Sequence, residues 1–147
     1  MKILVSKCLL GERCRFDGKS KSNQKVIDFL KNHEVIGVCP EVMGGMDVPH
    51  PPCERINDKI IGKDGIDYSD KFYKGASIAY DLCMQNNCKL AILKAKSPSC
   101  GKDLIYDGNF DGTLIKGNGV LSDKLLKENI KIINEDEIDD LDLEEII

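Results

Sequence analysis

The chain has 147 residues, 41% of them hydrophobic and 31% charged, which suits one globular domain and leaves too little sequence for two. Its net charge is −4, yet residues 134–147 hold eight acids and no base, so the rest has 21 bases against 17 acids. This slightly basic body suits an anionic or polar small ligand, and it lacks the clustered bases that predict nucleic-acid binding.

The amino terminus does not have the pattern of a signal peptide. Its apolar run stops at Ser6 and Lys7, and a charged segment follows without a small-residue cleavage site. No apolar stretch approaches the roughly 20 residues of a membrane-spanning helix. We therefore expect a cytoplasmic protein without membrane association. Its oligomeric state is not encoded in any pattern that we can interpret.

Apolar patterns predict strands that alternate with helices. The predicted strands are residues 2–6, 34–39, 89–93 and 131–134, and the predicted helices are residues 22–32, with Ser22 as N-cap, 69–86 and 120–129. Residues 40–67, with four of the five prolines, predict a long irregular connection, and residues 104–106 and 112–115 predict a hairpin turned at 107–109.

This order predicts an α/β fold in a single compact domain. We expect a mostly parallel, Rossmann-like sheet with helices on both faces, plus the small hairpin. The domain spans residues 1–134, and residues 135–147 form an acidic, solvated C-terminal tail.

The cysteines are the main chemical signal. An odd number cannot all pair within one chain, and disulfides are disfavoured in the cytosol, so metal binding or thiol chemistry is indicated. The alternative is that they are small buried side chains, which the helical spacing favours for Cys83. The seven cysteines are Cys8, Cys14, Cys39, Cys53, Cys83, Cys88 and Cys100.

Three of these cysteines follow predicted buried strands. Cys8, Cys39 and Cys100 lie within one to seven residues of a strand end. Because the carboxyl ends of parallel strands meet at one edge of a sheet, we expect the three thiols to converge there. Pro40 directly follows Cys39 and fixes the backbone angle there, and Gly101 directly follows Cys100 and permits an unusual backbone angle. Both residues therefore hold the cysteine loops in place.

The spacing of the cysteines leaves the kind of metal open. Zinc sites usually contain close pairs such as C-x2-C, which this chain lacks, although a zinc site of Cys8, Cys39, Cys100 and Cys14 is an alternative. Iron–sulfur clusters also use scattered cysteines. Three thiolates on a cubane cluster leave one iron without a protein ligand, and that iron has an affinity for soft sulfur.

Several segments together carry a resemblance to a known family. They are residues 5–11 (VSKCLLG), 15–18 (RFDG), 39–41 (CPE), 94–101 (KAKSPSCG) and 106–108 (YDG). In this order they resemble the thiouracil desulfurase family, formerly a family of unknown function, over residues 2–134. The resemblance implies an α/β fold and a [4Fe-4S] cluster on Cys8, Cys39 and Cys100. It also implies non-redox removal of sulfur, as hydrosulfide, from a thiolated pyrimidine base or similar small thiocarbonyl compound.

The resemblance also implies roles for residues near these cysteines. Glu41 is the expected general acid/base, and Ser97 is expected to hydrogen-bond the substrate or relay a proton. Asp17 and Ser99 are further candidates. The structural alternatives are that Glu41 caps its loop, that Ser97 stabilises a turn, and that Asp17 before Gly18 is a turn residue.

Other residues leave the ligand set open. Cys14 or Cys53 is a possible additional ligand, which would remove the open iron and shift the interpretation toward electron transfer. Lys94 and Lys96 either attract an anionic group or are solvated, and His50, among prolines, is expected to be a loop residue. The competing functional hypotheses are a non-catalytic zinc or iron–sulfur protein and a domain with inert thiols.

Overall fold

Eight strands and four α-helices are found in residues 1–141, which are the residues that the computed structural model describes. The strands are β1 (Lys2–Ser6), β2 (Glu34–Val38), β3 (Cys53–Ile56), β4 (Lys59–Gly62), β5 (Leu90–Ile92), β6 (Leu104–Tyr106), β7 (Leu114–Lys116) and β8 (Lys131–Ile133). The helices are α1 (Gln24–Leu30), α2 (Pro40–Met43), α3 (Ser69–Gln85) and α4 (Val120–Leu126). None of these helices has both the length and the apolar character needed to cross a bilayer.

A four-stranded sheet in the order β2–β1–β5–β8 organises the chain, and every neighbouring pair in it is parallel. Along β1, Ile3 and Val5 pack on one face with α1, whereas Leu4 packs on the other face with α3 and α4. This alternation produces two apolar clusters, one on each side of the sheet. The prediction of an α/β domain with helices on both faces is confirmed, although four parallel strands resemble a Rossmann fold only loosely.

The predicted elements differ from the structure mainly at their ends. Helix α1 begins at Gln24 because Asn23, and not Ser22, is its N-cap: the Asn23 side chain accepts a hydrogen bond of 3.1 Å from the Val26 amide. Helix α4 ends at Leu126, three residues early, and Asn129 then takes a left-handed φ of 58°. The β6–β7 hairpin is confirmed, but β7 begins two residues later than predicted.

The prediction that residues 40–67 are irregular throughout is wrong. Pro40 begins the short helix α2, a position where its missing N–H leaves no bond unmade. The antiparallel hairpin β3–β4 follows, with Asn57 at its turn in a left-handed conformation (φ 54°). Each of these elements has only four residues, too few to give a periodic pattern.

The first residues of the expected acidic tail are part of the folded domain. The Glu135 side chain is only 11% exposed, because it pairs with Lys94 at 2.6 Å and accepts a 2.8 Å hydrogen bond from the Ala95 amide. Ile138 and Leu141 pack against the apolar cluster on the α1 side of the sheet. A solvated tail from residue 135 onward is therefore wrong for this segment, and residues 142–147 lie outside the described residues.

Helix α2 packs closely against α3 because a glycine on each side, Gly44 and Gly75, lies against a backbone carbonyl of the other side. A Cβ atom on Gly75 would overlap the Pro40 carbonyl oxygen, and one on Gly44 would overlap the Lys71 carbonyl oxygen. Only glycine allows the two helices to approach so closely. This contact fixes helix α2, which contains Glu41, together with its N-cap residue Cys39.

We expect Gly75→Ala to lower the free energy of unfolding by at least about 2 kcal/mol, because the added methyl group forces α2 away from α3. At an unconstrained helical position the same change stabilises by about 1 kcal/mol. Chemical denaturation measures the difference. The control is Ser77→Ala at an exposed position of α3, which should stay within about 0.5 kcal/mol of wild type. A stabilised Gly75→Ala variant would show that the helices are not in contact here.

We expect Glu135→Ala to lower the free energy of unfolding by about 1–3 kcal/mol, because it leaves the half-buried Lys94 ammonium and the Ala95 amide without their partner. Denaturant titration measures the loss. Asp139→Ala is a matched control: Asp139 pairs with Lys25 at the same 2.6 Å, but both side chains are largely exposed. The Asp139 variant should therefore lose less stability. Equal losses would contradict a structural role for Glu135.

Candidate functional site

Three buried cysteines lie beyond the carboxyl ends of three neighbouring strands. Cys8 follows β1, Cys39 follows β2, and Cys100 lies in the loop that follows β5. All three line one cavity of about 610 Å³. The predicted convergence at one edge of the sheet is therefore observed, and it follows from the parallel pairing of the three strands.

Local structure holds the first two cysteines. Cys8 lies in the 3-10 turn Lys7–Leu10, and its carbonyl oxygen accepts hydrogen bonds from the amides of Gly11 and Lys21. Cys39 is the N-cap residue of α2, and its carbonyl oxygen accepts a 3.0 Å hydrogen bond from the Met43 amide. Both backbones are thus fixed where the strands end.

The Cys100 loop is clamped from two sides. The Cys100 amide donates a 2.7 Å hydrogen bond to the Ser97 hydroxyl, so the predicted turn-stabilising role of Ser97 is observed. From α4, the Leu121 amide donates to the Ser99 carbonyl at 2.9 Å, and the Ser122 hydroxyl donates to the Cys100 carbonyl at 2.8 Å. A Cβ on Gly119 would overlap the Ser99 carbonyl group, so this close packing requires glycine.

Burial and neighbouring charge raise the pKa values of Cys8 and Cys100. Burial raises the pKa of Cys8 to about 12, and the charges of Glu41 and Cys39 add to the rise, whereas Lys94 and Arg15 oppose it. Burial also raises the pKa of Cys100, again with a contribution from Glu41. A metal bound here must therefore displace protons from the sulfurs.

Cys39 is paired with a fourth cysteine. The Cys39 thiol donates a 3.5 Å hydrogen bond to the Cys14 carbonyl oxygen. Its interaction with the Cys14 side chain is the main cause of the raised pKa of Cys39 and lowers the pKa of Cys14. Cys53 also lines the cavity, but its thiol donates to the Pro51 carbonyl at 3.4 Å. Cys83 is fully buried in the core, as its helical position predicts. Five cysteines thus surround the cavity, and Cys8, Cys39 and Cys100 follow strands of the central sheet.

A chain of hydroxyl groups leads to the predicted acid/base residue. The buried Ser99 hydroxyl donates to Glu41 Oε1 at 2.7 Å, and it lies 3.4 Å from the Ser97 hydroxyl. The other Glu41 oxygen, Oε2, lies 3.9 Å from the Cys39 sulfur. Ser97 and Glu41 both line the cavity. The structure therefore brings Glu41, Ser97 and Ser99 together beside the thiols.

The remaining predicted residues divide between the cavity and the surrounding loops. Lys94, Lys96 and His50 line the cavity, and His50 Nδ1 contacts the Pro51 carbonyl at 2.7 Å. Asp17 accepts a 3.0 Å hydrogen bond from the Lys19 amide and pairs with Arg15, so it has the expected structure of a turn residue.

Two polar residues near the site escaped the sequence analysis. The Ser6 hydroxyl donates to Cys100 Sγ at 3.4 Å and accepts a 2.9 Å hydrogen bond from the Lys94 amide. Its position at the polar end of a buried strand could have identified it as a site residue. Glu54 is buried beside the cavity and accepts the amides of Gly108 and Phe110. Nothing in the local sequence indicates that burial, because it depends on contact between β3 and a distant turn.

The donor set at the cavity consists of soft sulfur atoms. Cys8, Cys39 and Cys100 surround a shared space, and thiolate sulfur is the ligand that iron–sulfur clusters use. These three residues therefore fit a cluster.

Comparisons with known proteins agree with this geometry. The 2-thiouracil desulfurase family model matches residues 3–137. The uncharacterized protein YbbK of Bacillus subtilis (strain 168) is 33% identical over 149 residues, covering 95% of this chain and 99% of that protein. The solved structure of the [4Fe-4S]-dependent thiouracil desulfidase TudS matches with a TM-score of 0.91 and 38% identity, covering 97% of this chain and 96% of that one. The predicted resemblance is confirmed: the chain belongs to the 2-thiouracil desulfurase family.

Proposed function

We propose that this chain is a [4Fe-4S]-dependent desulfurase that removes sulfur from a thiolated pyrimidine base or a similar small thiocarbonyl compound. One observation carries the proposal: Cys8, Cys39 and Cys100 surround the same cavity that Glu41 and Ser97 line. The printed activity of the similar solved structure, a [4Fe-4S]-dependent thiouracil desulfidase, supports it.

Cys8, Cys39 and Cys100 are the proposed ligands of the cluster. When bound, a cluster with three thiolate ligands supplies an iron that is free to act as a Lewis acid toward sulfur. Ser6 stabilises the Cys100 thiolate, because its hydroxyl group donates to the sulfur at 3.4 Å.

Glu41 is the proposed general acid/base. In the overall reaction water replaces sulfur, so that C=S becomes C=O and hydrosulfide and a proton are released, with no electrons exchanged. The Glu41 carboxylate takes a proton from the attacking water. Ser99 orients the Glu41 carboxylate, because the Ser99 hydroxyl donates to Oε1. Oε2, which lies beside the Cys39 sulfur, is left for the reaction once Cys39 has lost its proton.

Ser97 and two cations complete the proposed machinery. The Ser97 hydroxyl lines the cavity within 3.4 Å of Ser99, so it can hydrogen-bond the substrate and pass a proton toward Glu41. Arg15 and Lys94 lie close enough to Cys8 that their charges partly oppose the rise in its pKa. They thereby offset the negative charge of the deprotonated site and of the departing hydrosulfide.

We expect anaerobically purified protein to contain about four iron and four acid-labile sulfide per chain, the stoichiometry of one cubane. Single Cys8→Ser, Cys39→Ser and Cys100→Ser variants should lose most of this content, because each removes a thiolate that contacts the shared cavity. Iron and sulfide assays with the visible absorption spectrum measure the loss.

Two control variants complete the cluster experiment. Cys14→Ala tests the cysteine beside Cys39, and Cys83→Ala tests a core cysteine. Both should retain the cluster. Loss in the Cys14 variant would make it a fourth ligand. One zinc without sulfide in wild type would favour the alternative, a non-catalytic metal-binding protein.

We expect Glu41→Gln to reduce sulfide release from 2-thiouracil by at least about 100-fold, because the amide cannot accept the proton. Its iron and sulfide content should equal that of wild type, since Glu41 is not a proposed ligand. Glu12→Gln, an exposed acid on the neighbouring loop, is the control and should retain activity. Turnover that persists in the Glu41 variant would remove Glu41 from the mechanism.

A further inference from the structure

Two identical tripeptides form similar turns at distant points of the chain. Phe-Asp-Gly occurs at residues 16–18 and 110–112. In each, the aspartate accepts a 3.0 Å hydrogen bond from the amide two residues later, Lys19 in the first and Thr113 in the second. In each, the glycine is left-handed, with φ of 75° and 84°. The aspartate and glycine of the two copies therefore share a local structure, whereas of the two phenylalanines only Phe110 has a positive φ.

Both turns place their phenylalanine on the wall of the site cavity. Three of the four phenylalanines line it: Phe16, Phe72 and Phe110. Phe72 is 1% exposed and belongs to the core, whereas Phe16 is 36% exposed and Phe110 is half-buried. Phe16 and Phe110 are therefore the phenylalanine rings with surface left over for a ligand.

The Phe16 ring is fixed by its neighbours. The His50 amide donates a 2.7 Å hydrogen bond to the Phe16 carbonyl oxygen, and the His50 ring centroid lies 6.3 Å from that of Phe16. The Arg15 guanidinium lies 5.6 Å from the Phe16 ring centroid. An exposed aromatic ring with this much support is preorganised and does not need to be ordered by a ligand.

The Phe110 turn is held by a buried carboxylate. Phe110 has a φ of 57°, a conformation that disfavours a bulky side chain. Glu54, 9% exposed, accepts the Gly108 and Phe110 amides at 2.9 and 3.2 Å and so secures it. A strained backbone held by a buried charge on a cavity wall is typical of a functional position.

We propose that Phe16 and Phe110 form an aromatic subsite that binds the flat ring of the substrate by stacking. This inference rests on the proposed function, because the thiolated base is its occupant. A delocalised heterocycle presents π faces to both phenylalanines, whereas a saturated, puckered ring of the same polar groups does not. The subsite thus selects planar heterocycles.

Two sulfur-free probes test the subsite: uracil, which is planar, and 5,6-dihydrouracil, which has the same carbonyl and N–H groups on a puckered ring. Isothermal titration of the cluster-loaded protein gives both dissociation constants. Wild type should bind uracil at least about fivefold more tightly than dihydrouracil, and in Phe16→Leu and Phe110→Leu this preference should fall to less than about twofold.

Two further variants separate stacking from general damage. Phe29→Leu removes a phenylalanine that instead stacks on His33, with ring centroids 5.0 Å apart, and should retain the preference. Phe16→Tyr restores an aromatic ring and should also retain it. Phe16 is exposed, so its variants should fold, which thermal unfolding and cluster content verify.

The outcomes separate this inference from the proposed function. Wild type without a preference for uracil, or Phe16→Leu that keeps the preference, overturns the subsite even if the enzyme releases sulfide. Lost preference in the Leu variants supports the subsite even if no sulfide is released, because neither probe contains sulfur.

Discussion

Backbone hydrogen bonds between β1 and its two parallel neighbours, β2 and β5, determine where three loops begin. The register places Ser6 opposite Val38 and Val5 opposite Ile92, so all three strands end at nearly the same level. A cysteine shortly after each end then reaches the same cavity. A slip of one residue in either pairing would move Leu4 into the cluster of Ile3 and Val5, and those two into the cluster of Leu4, so the packing of both clusters secures this register.

The site is electrostatically unfavourable without a metal. Buried thiols with raised pKa values lie beside the Glu41 carboxylate, and deprotonation of any one of them adds a like charge to its neighbours. The chain offsets this with two hydroxyl donors, Ser6 to Cys100 and Ser99 to Glu41, and with the cations Arg15 and Lys94. Such a site is stabilised once a cationic group takes the place of the thiol protons. The same side chains that serve the proposed function therefore cost the metal-free fold stability. The α2–α3 contact and the Lys94–Glu135 pair stabilise the surrounding structure from outside the cavity.

Periodic elements were predictable, whereas helix α2 and the β3–β4 hairpin beside the cavity were not. The buried strand at residues 2–6 and the long helix α3 have enough residues for apolar spacing to identify them. Helix α2 and the β3–β4 hairpin do not, since each depends on contacts with distant residues, such as Gly75 against Pro40. Ser99 illustrates the same limit: the resemblance makes it a candidate site residue, but only the structure shows that its hydroxyl contacts Glu41, 58 residues away.

By itself the sequence determined the fold class, the edge of the sheet where Cys8, Cys39 and Cys100 gather, and the family to which the chain belongs. These follow from local periodicity, strand direction and motifs, which neighbouring residues carry. The tertiary structure alone decided that Cys14 pairs with Cys39, that Glu135 is buried against Lys94, and that both Phe-Asp-Gly turns face one cavity. Those outcomes depend on packing between segments far apart in the chain, and the local sequence does not determine the distances between such segments.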